Sequence, residues 1–205
     1  MSQSPLSLIE FLQSIPDCRK ARGVRFPQWY LLLLTVLGNL SGAVSLHGLE
    51  RFGQRHAQKI CEILGVEYRG GPADSTYRLL FSKLDVGDLY GRLRDWMLVH
   101  PAVVAAGGIE GLVCDGKTLR GSAIETRKAD GTPFQAFVAQ VTLYSAQLGI
   151  AIAQACYDTR ESHEQQVLHQ LLQEVELEGL LIQTDALHTT QAFFDSSSSA
   201  VRTSC

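Results

Sequence analysis

The sequence predicts an α+β chain, an all-helical first part joined to a mixed α/β second part, on three observations. Apolar residues recur at helical spacing from Leu6 to about residue 100, punctuated by capping residues, Pro and Gly. After His100-Pro101 the pattern turns to short runs rich in Val, Phe and Tyr, in the order strand, strand, strand, helix, strand. Two of those runs end on a carboxylate, Asp115 and Asp185.

In the helical part, Ser7 is placed to cap a helix starting near Leu6. Glu10 completes a capping box and Leu6 can staple against Phe11. Residues 16–25 form a basic, turn-rich loop. Pro27 suits the first turn of a broadly apolar helix reaching about Leu40. A third helix spans about Leu46 to Leu64, with a break expected near Gly53. Gly70-Gly71-Pro72 is a stop. Asp74 or Ser75 can cap a short helix from Thr76 to Leu84, and Val86–Leu98 makes another. The glycine pair before a short helix bearing Arg78 and Lys83 fits either a helix-turn-helix-like DNA reader or a solvated bundle face.

In the second part, strands are expected over Ile109–Cys114, Phe134–Ser145, Gly149–Tyr157 and Leu180–Thr184. A helix over Ser162–Leu177 carries Val167, Leu168, Leu171, Leu172 and Val175 on one face. The first three strands should form a meander, and the fourth should enter by a helical crossover. Residues 195–205 have no apolar periodicity and are expected to be a disordered tail, out of frame with what precedes it. The domains expected are thus 1–100, 106–194 and this tail.

With 205 residues, 45% hydrophobic and 19% charged, the composition is globular rather than disordered. The longest apolar run, Trp29–Val44, is interrupted by Gly38, Asn39, Ser41 and Gly42, and falls short of the roughly 20 apolar residues a bilayer span needs. No secretory signal opens the chain, and the five cysteines lie far apart without a Cys-x-x-Cys pair. Reduced thiols in a cytoplasmic protein are therefore expected, with no membrane partner. Charge is uneven. Residues 1–105 hold 12 Lys and Arg against 9 Asp and Glu, whereas residues 106–205 hold 6 against 12. A basic module beside an acidic one suits DNA contact next to a site for divalent cations.

If the strands ending on Asp115 and Asp185 are neighbours, the carboxylates emerge side by side. Hard oxygen donors there suit Mg²⁺ or Mn²⁺, and two such ions serve phosphodiester chemistry. The other reading of each aspartate is a turn or helix-cap residue. Lys117 and Arg120, in Asp115-Gly-Lys-Thr-Leu-Arg-Gly-Ser122, can hold a phosphate backbone or belong to an exposed polar loop. Glu164 opens the helix after the third strand. It is either an inward metal ligand, a possible third acid, or a carboxylate favourable at a helix N-terminus. His163 and His188 flank this region; His163 is expected at the surface.

The Asp115–Ser122 string, then Glu161-Ser-His-Glu164, then Leu181-Ile-Gln-Thr-Asp-Ala-Leu-His-Thr-Thr-Gln191, resembles the bacterial insertion-sequence DDE transposases that include the H-repeat-associated proteins. The helical part is similar too, through Ile15-Pro-Asp-Cys-Arg19, the Leu-rich helix with Gly42, and Gly71-Pro72 to Tyr77-Arg78. The resemblance covers about residues 6–194. It implies a ribonuclease-H-like catalytic domain, incomplete here, cutting and joining DNA with Mg²⁺ or Mn²⁺. Asp115 and Asp185 are then the first two acids, and DNA, meaning element ends and target, is the partner. It also implies a glutamate well beyond the second acid, with no counterpart here. Instead, Asp195 is followed by four serines. The expectation is a transposase-derived chain without activity of its own. The alternative is a DNA-binding fragment that competes with full-length transposase, either as a homo-oligomer or in complex with it.

Overall fold

Ser7 opens the first helix as its chemistry dictates. Its Oγ accepts from the Glu10 amide at 3.3 Å while the Glu10 carboxylate accepts from the Ser7 amide at 2.8 Å, starting α1 (Leu8–Ser14). The computed structural model describes residues 6–20, 24–100, 103, 109–127, 131–175 and 180–184. Helix α2 (Gln28–Leu40) follows Pro27 and buries Tyr30 and the run Leu31–Leu34. Gln28, a buried polar residue, is satisfied by the loop before it. Its Oε1 accepts from the Cys18 amide at 3.1 Å and its Nε2 donates to the Pro16 carbonyl at 2.7 Å.

Helix α3 (Leu46–Leu64) starts on the Ser45 cap and ends on Gly65 at φ 65°. It does not break at Gly53, contrary to the expectation. The missing side chain there makes room for Pro72, whose Cδ would lie 3.1 Å from an added Cβ. Gly71 answers from the other side, where a Cβ would lie 2.9 Å from the Gln54 backbone. These glycines mark a close crossing rather than a turn. Helix α4 (Asp74–Phe81) is flanked by Ala73, with no side-chain cap, so neither Asp74 nor Ser75 is the cap residue. Helix α5 spans Val86–Leu98.

The chain forms two compact units, residues 1–89 and 90–205, with the boundary inside α5. Met97 and Leu98 pack against the core of the second unit, which draws the end of an otherwise helical segment to the sheet.

In that unit β1 (Gly111–Thr118), β4 (Val138–Ser145) and β5 (Ile150–Asp158) form an antiparallel meander. Helix α6 (Glu164–Gln173) then leads to β6 (Leu181–Gln183), which pairs parallel with β1. The sheet order is β5-β4-β1-β6. Strand β1 continues past Asp115 because β4 supplies ladder partners as far as Thr118. The run expected over Phe134–Ser145 divides at Phe137. Its amide donates to Thr159 Oγ1 at 2.9 Å, so β3 (Pro133–Ala136) leaves the main sheet and pairs with β2 (Ile124–Arg127), a strand the sequence reading lacked. Residues 176–179 and 185–205, including the expected end of the crossover helix and the tail, lie outside the described residues. No described helix is long and apolar enough to cross a membrane.

Candidate active site

Alternation along the strands decides which side chains meet. Leu112 and Cys114 of β1, with Val141 and Leu143 of β4, face α6 and share a core with Val167, Leu168, Leu171 and Leu172. Burial in that core pushes the Cys114 thiol up to about 11. Asp115 falls on the opposite face, level with Thr142, and is exposed.

Glu164 is the first residue of α6, and its carboxylate lies over Gly116, so closely that a side chain on Gly116 would overlap it. The structure therefore brings Glu164 to β1 at the residue next to Asp115, but from the other face of the sheet. Tyr157 senses the same carboxylate. Its phenol is raised above the ordinary range, first by burial and then by the Glu164 charge.

Strands β1 and β6 are parallel neighbours, with Gly111 level with Leu181 and Val113 level with Gln183. Asp185, two residues after Gln183, lies outside the described residues, as does His188. Lys117 and Arg120 are exposed beyond Asp115. Lys117 and Thr118 still belong to β1, so the polar loop starts only at Leu119. Ser122 ties that loop back, its Oγ donating to the Leu119 carbonyl at 2.6 Å and accepting from the Val138 amide at 3.0 Å. His163 is exposed at the N-cap of α6.

In the helical unit Arg78 and Lys83 are both exposed. Residues 65–73 separate α3 from α4, longer than the turn of about three or four residues in a helix-turn-helix. Arg78 lies 3.5 Å from the Asp74 carboxylate. Lys83 instead lines a groove of about 560 Å³ with Arg19, Lys20 and Arg25, and with the hydroxyl residues Ser75 and Thr76. No carboxylate is among the described residues lining it. Arg19 is held by Asp17 at 2.8 Å, a pairing that lowers the Asp17 carboxyl below its usual range. Sequence reasoning noticed the basic loop but had no means of setting it against α4.

The sheet unit thus presents an exposed carboxylate within β1 and the helical unit a cationic groove. Residues 9–97 match the family model described as DDE_Tnp_1-associated. The chain is thus similar to transposase-related proteins, and distantly so. It is 27% identical over 181 residues to Putative protein YbfL of Escherichia coli (strain K12), covering 88% of this chain and 45% of that protein. It is 26% identical over 180 residues to the H repeat-associated putative transposase YbfD of the same organism, covering 88% and 67%. With the H repeat-associated putative transposase YhhI, also from that strain, it shares 26% over 181 residues, covering 88% and 45%. The chain spans about half the length of YbfL and YhhI. No solved structure matches.

Proposed function

We propose that this chain serves DNA transposition of the DDE type, in the cytoplasm at the nucleoid, with Asp115 and Asp185 holding Mg²⁺ or Mn²⁺ in a ribonuclease-H-like domain. The parallel pairing of β1 with β6 carries the reading. Val113 is level with Gln183, and each aspartate follows its strand's member of that pair by two residues. Neighbouring strands are the condition under which the sequence places the two carboxylates together. The donor set fits the ion: hard carboxylate oxygen, exposed on β1 at Asp115. When bound, the metal supplies charge neutralisation and an activated water or hydroxyl for phosphodiester cleavage. Asp115 and Asp185 would hold it. Lys117 and Arg120 steady the phosphate backbone beside them. Glu164 lies over Gly116, on the face opposite Asp115, and is put to the test as a third acid rather than counted in the site.

The deciding experiment is cleavage of labelled DNA by the full chain in Mn²⁺ or Mg²⁺. No cleavage by the parent would match the inactive derivative expected from the sequence; where the parent cleaves, cleavage should vanish in Asp115→Asn and in Asp185→Asn. Activity retained in either variant would remove that residue from the site. Loss in Glu164→Gln would add the third acid, and unchanged cleavage would exclude it.

The cationic groove favours a second reading, a DNA-binding module that engages element ends and competes with, or assembles with, full-length transposase. Binding should then persist in the Asp115→Asn, Asp185→Asn double variant and weaken steeply with salt. Lys20→Ala or Lys83→Ala should each flatten the salt slope by about one unit. Binding lost in the double variant would return the contact to the metal site.

A further inference from the structure

The helical unit holds a cluster of ligating side chains of its own. His47, in the first turn of α3, faces Glu50 one turn on and Asp74 at the start of α4. His47 Nδ1 lies 3.4 Å from Asp74 Oδ2 and 3.9 Å from Glu50 Oε2, and the three ligand atoms all lie within 4.8 Å of one another. Two origins suit such a cluster: an imidazolium bridging two carboxylates, or a set of donors around a cation.

The distances separate them. A charge-assisted N–H···O⁻ bond closes to about 2.7–2.9 Å, and neither contact does. Donors held about 2.1 Å from a tetrahedral ion stand about 3.4 Å apart, which is the His47–Asp74 separation.

The frame is prepared in other ways. Glu50 and Asp74 are only 23% and 27% exposed at their side chains, while His47 at 77% leaves one side open for water. Asp74 begins α4 and forms no cap bond there; its Oδ2 also lies 3.5 Å from Arg78 Nη2, the cation a bound metal would compete with. The two backbones that carry the donors are locked at the crossing of Gly71 on Gln54 and Gly53 on Pro72. The ligands therefore come from segments already held together, and little chain entropy is lost when an ion arrives.

We propose that His47, Glu50 and Asp74 bind one first-row divalent transition cation, of which zinc is the natural probe. Imidazole with carboxylates suits zinc, whereas magnesium and calcium favour all-oxygen sites. The ion stitches α3 to α4, the helix that brings Ser75 and Thr76 to the cationic groove. The site does not depend on Asp115 or Asp185.

The test is calorimetric titration of the full chain with ZnCl₂, paired with thermal melts with and without zinc. One equivalent should bind and raise the melting temperature. His47→Gln should weaken binding by at least roughly tenfold, since even residues that merely support a ligand cost that much. Glu50→Gln should weaken it too, and serves alone if the histidine variant is unfolded by circular dichroism. The Asp115→Asn, Asp185→Asn variant should bind zinc as the parent does. The proposal is overturned by absence of binding to the parent, by binding unchanged in both ligand variants, or by binding lost in the aspartate double variant. Melting that falls in His47→Gln equally with and without zinc would identify an ion-pair cluster only.

Discussion

The helical and sheet units are ordered by different kinds of contact. In the first, nearly every feature has a cause a few residues away: the Ser7–Glu10 box, the Ser45 cap, the Gly65 stop. Its long-range order includes the Tyr30 hydroxyl donating to the Ala57 carbonyl and a crossing of glycines where backbone meets backbone. In the second, Asp115 stands opposite Thr142 and Val113 beside Gln183, partners tens of residues away in the chain. Local chemistry thus makes the helical unit recognisable by its sequence, and residues 9–97 match a family model. In the sheet unit, ladders and helix packing position the chemistry-bearing residues.

Cavities offer the sharpest way to break that comparison. Leu34 is fully buried in the helical unit and Leu168 in the sheet unit, so replacing either by Ala should cost about 2–5 kcal/mol. Each unit holds one of the two tryptophans, Trp29 and Trp96. In denaturant melts of single-tryptophan variants, Leu34→Ala should move the Trp29 transition and Leu168→Ala that of Trp96. Equal movement of both would mean one cooperative body.

A smaller effect is expected at the glycines, and it should differ between units. Gly71→Ala drives a Cβ against the Gln54 backbone, which has no freedom to yield, and should cost about 1–3 kcal/mol. Gly116→Ala meets only the flexible end of Glu164. The carboxylate can swing away, so stability should change by less than about 1 kcal/mol. Urea midpoints check both; equal losses would deny the distinction. Smallest is Ser7→Ala, which removes one cap for about 1 kcal/mol. It should raise amide exchange at the start of α1 and leave the sheet unit unchanged. Faster exchange throughout would show that α1 supports more than its own unit.

The same contrast governs how much could be read in advance. Capping residues, Pro27 and apolar spacing located α1, α2 and α5, because helix hydrogen bonds join near neighbours. Gly53 misled for the converse reason: its role is to admit Pro72, a partner that spacing does not reveal. The meander, the crossover helix and the β1–β6 pairing follow from strand order and short connections. Hairpin β2–β3 was hidden, since Ile124–Arg127 is a short polar run whose pairing with β3 supplies its order.

By itself the sequence determined the class of fold, most helix limits and the resemblance to transposases. These rest on local propensity, hydrophobic period and motif, all written along the chain. Only the tertiary structure decided that Glu164 reaches β1 from the face opposite Asp115, that the basic loop meets α4 in one groove, and that His47 meets Asp74. Register, sheet face and helix crossing are set by partners distant in sequence, and a side chain's neighbours are fixed only once those partners have packed.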